Sequence, residues 1–171
     1  SLGTKYYLID GKEDLYKKTI SYIIKGNILR GGVYPLLVGP DRVIQASKVV
    51  EVAKKEKAKA IAHGSTGAGN DQVRFELSTD SLAPELEMIA PWRMADFRAE
   101  FPGRAEMIEY AEKEGIPVQA SAAKPYSMDR NLLHISFESG ILEDPWYDAS
   151  GEDCRDMYVL SASPQDAPDD P

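Results

Sequence analysis

The feature that most constrains this chain is an alternation of short apolar runs, closed by turn residues, with longer stretches of helical spacing. Lys5-Tyr6-Tyr7-Leu8-Ile9 reads as a strand closed by Asp10-Gly11. Leu15, Tyr16, Ile20, Ile23 and Ile24 then recur at helical intervals, with Gly26 where a C-terminal cap belongs. Gly31 to Pro35 reads as loop, and Val43, Ala46, Val49, Val50 and Ala53 mark one face of a second helix whose lysine-rich end, Lys54 to Lys59, is solvated. Ala58 to Ala62 is a buried strand broken at His63-Gly64, Asn70 to Leu82 has helical character, and Glu87 to Ala90 is a strand stopped by Pro91. Met107, Ile108 and Ala111 mark a further helix ended by Gly115, and Ile116-Pro117-Val118 resumes an extended course. Strands separated by helices of this length predict an α/β fold, a parallel sheet with helical crossovers.

From about Ala120 the texture changes. Ser121 to Arg130 is polar and turn-rich, and Leu132 to Phe137 and Met157 to Leu160 read as strands outside the earlier rhythm. The expected division is a first domain over 1–119 and the start of a second, α+β domain over 120–171. The opening Ser1-Leu2-Gly3 carries no initiator Met, signal peptide or tag, and Pro164 to Pro171 reads as linker or frayed tail. Both ends are expected to be cut from something longer.

Composition narrows the functional classes. The chain has 171 residues, and 20 Lys+Arg against 28 Asp+Glu give a net charge of −8, so nucleic acid is not expected as main partner. No run approaches the roughly eighteen apolar residues of a membrane span, so no membrane partner is expected either. A single cysteine, Cys154, cannot form an internal disulfide, and two histidines are too few for a His-rich metal site. These counts predict a cytoplasmic chain with no metal site of its own.

The most informative segment is His63-Gly64-Ser65-Thr66-Gly67-Ala68-Gly69-Asn70-Asp71-Gln72-Val73-Arg74, between an expected strand and an expected helix. In a parallel sheet that is the carboxyl edge, where ligands bind. The spacing is neither a Walker A box, since Gly69 is followed by Asn70-Asp71, nor the dinucleotide fingerprint. Two readings of the glycines stay open: close approach of an anion to the backbone, or a tight strand-to-helix turn. Asn70 and Arg74 share a helical face, Asp71 sits in the first turn, and Thr66 adds a hydroxyl. Together they would match the ammonium and carboxylate of an amino acid; the plainer alternative has Asp71 capping the helix and Arg74 solvated. Trp92-Arg93 could lie near a phosphate but reads better as packing. His63, His134 and Cys154 are expected to be structural or without a role.

The run His63 to Glu76, HGSTGAGNDQVRFE, resembles a signature of argininosuccinate synthases. Ile89-Ala90-Pro91-Trp92-Arg93 is similar to that family's IAPWR segment, and Pro125 to Ser136 to its later YSxDxNLxHxS segment, followed by Gly140 to Pro145. The resemblance covers essentially the whole chain. It implies an ATP-pyrophosphatase type, Rossmann-like nucleotide-binding domain and a synthetase domain, usually assembled as homotetramers. It also implies ATP-dependent ligation of L-citrulline to L-aspartate, in arginine biosynthesis, giving argininosuccinate, AMP and pyrophosphate through citrullyl-AMP, with Mg2+ accompanying ATP. By this resemblance Gly64 would contact ATP. Thr66, Asn70 and Asp71 would hold aspartate; Tyr34, Asn70, Arg74, Ser127 and Ser136 would hold citrulline. No residue is expected to act as nucleophile or base, because such chemistry works by positioning and charge neutralisation.

Two departures stand out. Gly39 replaces a citrulline-contacting Ser five residues after the tyrosine, leaving only its backbone to substitute. The family's N-terminal SGGxDTS loop has no counterpart, Arg30-Gly31-Gly32-Val33 being the nearest string. The chain is thus expected to start after that loop and stop before the rest of the synthetase domain. A fragment that only binds ligand or self-associates is therefore a competing reading. Another ATP-pyrophosphatase enzyme is a weaker one, since thiolating members usually need cysteines beside the loop.

Overall fold

Helix boundaries in this chain follow its glycines, turn residues and apolar spacing closely. The computed structural model describes residues 3–67, 69–117, 127–138, 140–151, 154 and 157. They belong to two units, Ser1–Val118 and Gln119–Pro171.

In the first unit, Asp10 Oδ1 accepts from the Lys12 amide at 3.0 Å, an Asx turn that starts the helical stretch 12–26. That stretch runs as α1 (Lys12–Leu15), a π-helical segment (Tyr16–Ile20) and α2 (Ser21–Gly26). Gly26 is its last residue, and Asn27, in the left-handed conformation at φ 44°, makes the cap. Strands β1 (Leu29–Arg30) and β2 (Tyr34–Pro35) form a small antiparallel hairpin where a loop was expected. Gly31 and Gly32, at φ 62° and 78°, reverse the chain there as residues with a Cβ rarely do.

Helix α3 (Pro40–Glu56) starts with proline in its first turn, where the missing N–H costs nothing. It buries Ala46, Val50 and Ala53 on one stripe. Val43 and Val49, expected on the same face, stay 47% and 45% exposed. Val50 and Ala53 meet Ile61 of β3 (Ala60–Ala62) and Ala83, just after α4 (Asn70–Leu82), with Leu86 and Met88 packed against them. Lys54 does more than face water: its Nζ donates to the Leu82 carbonyl at 3.1 Å, tying down the end of α4.

Strand β3 pairs in parallel with β4 (Glu87–Ile89), Ile61 opposite Met88, and α4 is the crossover between them. This strand–helix–strand unit is the expected α/β element, and α4 has the expected bounds. Pro91–Arg93 then forms a 3-10 turn, followed by α5 (Ala95–Glu100), which the sequence did not announce, and α6 (Arg104–Lys113). Gly115, at φ 65°, follows α6.

One expected element is absent. Residues 5–9 form no strand, although apolar side chains are frequent there. A strand needs a neighbouring edge to complete its ladder, and among the described residues this segment has none. Tyr6 and Leu8 are 82% and 86% exposed. The segment is tied instead through side chains, Lys5 Nζ (2.7 Å) and Tyr7 Oη both donating to Glu56 Oε1.

In the second unit, β5 (Ser127–Arg130) and β6 (Ile135–Glu138) pair antiparallel, with Asp129 opposite Ser136. Asn131 Oδ1 accepts from the amides of Leu133 and His134, each at 2.9 Å, and shapes the connection. Cys154 is fully buried and its thiol donates to Tyr147 Oη at 3.7 Å. The turn-rich run Ser121 to Tyr126, the tail Pro164 to Pro171, and the strand expected over Met157 to Leu160, apart from Met157, lie outside the described residues. Among the described residues no helix is long and apolar enough to cross a membrane.

Candidate functional site

Strand β3 delivers the chain to a sharp exit. The His63 amide donates to the Ile89 carbonyl at 3.1 Å, the last rung beside β4. His63 Nδ1 accepts from the Ser65 amide at 3.3 Å, so the imidazole shapes the first turn of the glycine loop. Its Nε2 is buried, has no hydrogen-bond partner among the described residues and lies 3.6 Å from Glu76 Oε1. The ring sits 5.9 Å from that of Phe75. His63 thus helps to shape the loop through Nδ1.

Each glycine of the loop has its own reason. A Cβ on Gly64 would meet nothing within 4 Å, so this position faces open space. A Cβ on Gly67 would stand 3.1 Å from the Trp92 carbonyl oxygen, tighter than ordinary side-chain contacts, so glycine lets the loop lie against the turn after β4. The Gly69 amide donates to the Thr66 carbonyl at 3.2 Å, closing the loop onto the start of α4. Thr66, Gly67, Gln72, Trp92, Arg93 and Arg98 line a cleft of about 530 Å³. Trp92 does pack, edge-on to Phe97 at 5.7 Å between ring centres, yet it also walls this cleft. Arg93 is held by Glu76, which also accepts from Gln72 Nε2 at 2.9 Å.

The first turn of α4 carries the charged centre. No side chain caps this helix, so Asp71 is not the N-cap that the plainer reading made it. Its Oδ1 accepts from Arg74 Nη1 at 2.9 Å, one helical turn on, and its Oδ2 accepts from Arg42 Nε at 2.9 Å, reaching across from α3. Arg42 Nη1 in turn donates to Asp41 Oδ2 at 2.8 Å, and Asp41 Oδ1 accepts from the Gly39 amide at 2.9 Å. The result is a row of alternating charge: Asp41, Arg42, Asp71, Arg74. Burial works to raise the Asp71 pKa, but the hydrogen bonds from Arg42 and Arg74 outweigh it and hold the carboxyl below its ordinary range. Asp71 is therefore a carboxylate at neutral pH, half-buried and two-thirds shielded.

The sequence-selected residues divide into three groups. Gly64, Thr66, Asn70, Asp71 and Arg74 come together on the loop and the first turn of α4, with Asn70 exposed. Tyr34 lies half-buried on β2, one short connection before α3. Ser127 and Ser136 lie in the second unit, at the start of β5 and half-buried on β6. Gly39 is buried at φ 123°, with Arg74 Cζ 3.4 Å from where its Cβ would be, and its amide is engaged by Asp41 rather than left for a ligand. Sequence reasoning missed Arg42. The Asp71–Arg74 pair follows from helical spacing, but nothing local announces a partner 29 positions upstream.

Comparison with known proteins joins this geometry to a family. A family model described as "Arginosuccinate synthase N-terminal HUP domain" matches residues 1–117. The Rossmann-like character of such a domain agrees with the parallel β3–α4–β4 unit. The chain is similar to argininosuccinate synthase of Leptospira biflexa serovar Patoc (strain Patoc 1 / Ames), 50% identical over 169 residues covering 99% of this chain and 40% of that relative. The relative from Desulfatibacillum aliphaticivorans is 48% identical over 96% of this chain and 39% of its own length. That from Desulfitobacterium hafniense (strain DSM 10664 / DCB-2) is 46% identical over 98% of this chain and 40% of its own length. The chain thus spans about 40% of the length of the curated relatives it matches. By the family model and by these identities, the chain belongs to the argininosuccinate synthase family.

Proposed function

We propose that this chain carries substrate-binding machinery of an argininosuccinate synthase, which joins L-citrulline to L-aspartate at the expense of ATP. The ureido oxygen of citrulline attacks the α-phosphorus of ATP and pyrophosphate leaves. The amine of aspartate then displaces AMP from citrullyl-AMP. The observation that carries this reading is the Arg42–Asp71–Arg74 row at the start of α4, beside a glycine loop at the carboxyl end of a parallel strand. An amino acid offers an ammonium and a carboxylate, and this row offers the opposite charge for each.

In this reading Gly64, with open space before it, lets ATP approach the backbone. Thr66, Asn70 and Asp71 hold aspartate, the Asp71 carboxylate taking its ammonium. Arg74 takes the citrulline carboxylate, with Asn70, Tyr34, Ser127 and Ser136 orienting the rest of that substrate by single hydrogen bonds. These residues bind and align; none needs to form a covalent bond. The first domain, 1–119, is the nucleotide-binding part and 120–171 begins a synthetase domain. Cytoplasmic location and homotetrameric assembly rest on family membership. Mg2+ usually reaches such sites on substrate phosphates with one or two carboxylates. Among the described residues no group of three or more His, Cys, Asp or Glu gathers, and Asp71 is already shared by two guanidinium groups. These residues do not fit a metal cage, and Mg2+ enters only with ATP.

The chain's 40% share of its relatives' length favours a second reading, in which these residues alone bind substrates without turning them over. Pyrophosphate release from ATP, measured with and without citrulline and aspartate, separates the two. Release that depends on both amino acids supports the ligase. Calorimetric binding of the amino acids without release supports the binding-only reading, and absence of both rejects the site.

A further inference from the structure

We propose that Arg42 is a positioning residue, fixing Asp71 from α3 so that Arg74 can exchange Asp71 for the carboxylate of a bound amino acid. This rests on the proposed function and names a residue it did not include.

The geometry makes the two arginines unequal. Arg74 lies one turn along the same helix from Asp71, and its side chain is one-third exposed. Its guanidinium lies over Gly39, which has no side chain to crowd it. It can swing to a ligand by rotating its own bonds. Arg42 is only 17% exposed and engages two carboxylates, Asp71 at 2.9 Å through Nε and Asp41 at 2.8 Å through Nη1. Asp41 is itself anchored on the Gly39 amide at the start of α3. Arg42 is therefore the fixed member of the row and Arg74 the exchangeable one.

The chemistry requires such a division. If Asp71 were held by Arg74 alone, ligand capture by Arg74 would leave a half-buried carboxylate without a cation. That cost would be subtracted from ligand affinity. With Arg42 holding Oδ2, Oδ1 is the atom that Arg74 vacates, and it is then free to accept an ammonium. The charged groups facing Asp71 are Arg42, backed by Asp41, from α3, and Arg74 from its own helix.

The test compares Arg42→Gln and Arg42→Lys with the unaltered 171-residue chain. The carbon-13 shift of the Asp71 carboxyl is followed through an acid titration, and L-aspartate and L-citrulline binding is measured by calorimetry. Arg42→Gln is expected to move the Asp71 titration to higher pH and to weaken binding about tenfold or more. Arg42→Lys, which keeps a cation but not the fork, should recover part of both. Thermal unfolding of each variant identifies any loss of fold, and Arg42→Lys carries the comparison if Arg42→Gln unfolds. An Asp71 titration that both variants leave unchanged overturns the proposal, as does a titration shift with full affinity retained. If the titration moves but the unaltered chain binds neither amino acid, the proposed function fails while the Arg42–Asp71 coupling stands.

Discussion

The two long helices of the first unit, α3 and α4, both begin after a glycine and both carry an aspartate at their second position, yet the two starts are built differently. At α3, Asp41 is 6% exposed and folds back on the Gly39 amide, satisfying its own helix start. At α4, Gly69 is extended, no side chain caps the helix, and Asp71 keeps one-third of its side chain in solvent between two guanidinium groups. A carboxylate turned inward onto its own backbone has its bonding settled. One turned outward, with a partner that can move away, is available to a ligand. Arg42 joins the two and passes the order of the first to the second.

Exchanging the two acids is the most severe test of that contrast. Asp71→Asn keeps the shape but leaves Arg42 and Arg74 sharing a neutral amide, and should lower amino-acid affinity by about 100-fold, the loss of one or two charge-assisted bonds. Its effect on unfolding should be under about 1 kcal/mol, as for a partly exposed pair. Asp41→Ala should do the reverse. It strips the buried Gly39 amide of its acceptor and the part-buried Arg42 guanidinium of one of its two, and denaturant unfolding should show a loss of about 1–3 kcal/mol. If Asp41→Ala proved harmless to stability while Asp71→Asn unfolded the chain, the two roles would be the wrong way round.

A smaller effect is expected at Gly39. Its φ of 123° is one that L side chains rarely adopt, while the space before it admits a Cβ at an ordinary 3.4 Å from Arg74. Gly39→Ala or Gly39→Ser should therefore cost about 1–3 kcal/mol through the backbone. A serine there would also meet the mobile guanidinium, so its effect on citrulline affinity should exceed that of alanine. Equal affinities in the two variants would mean that Arg74 does not move across this position on binding.

The contrast between the two helix starts also separates what the sequence made legible from what it did not. The bounds of α4, the strands around it and the loop between them were readable, because local glycines, turn residues and apolar spacing determine them. The sequence reading put Asn70 on the face of Arg74, whereas the structure pairs Arg74 with Asp71 three residues away, the other spacing that a helix brings together. Arg42 was not readable, since its contact with Asp71 depends on how α3 packs against α4. The strand expected at residues 5–9 failed for a related reason. Propensity makes a segment capable of pairing, but a ladder also needs an edge, and that is tertiary information.

Acid titration should give the smallest effect, with the sign fixed by the direction of each shift. Hydrogen bonds from Lys48 and Lys18 lower the Asp14 carboxyl to about 2, and Asp71 is lowered by Arg42 and Arg74 against the opposing effect of burial. A carboxyl lowered in the folded state stabilises it fully above the unfolded value of about 3.9, and that contribution fades as pH falls through the folded value. Unfolding midpoints should thus be flat above about pH 5 and decline toward pH 2. Asp71→Asn should flatten part of that decline and Asp14→Asn another part. Asp14 and Asp71 keep similar shares of their side chains in solvent, 31% and 34%, and each is held by two cations, so about 0.5 M salt should weaken both contributions to a similar degree. A share at Asp71 that salt removed much more completely than the share at Asp14 would show that the Arg42 and Arg74 pairs are looser than the exposure of Asp71 implies.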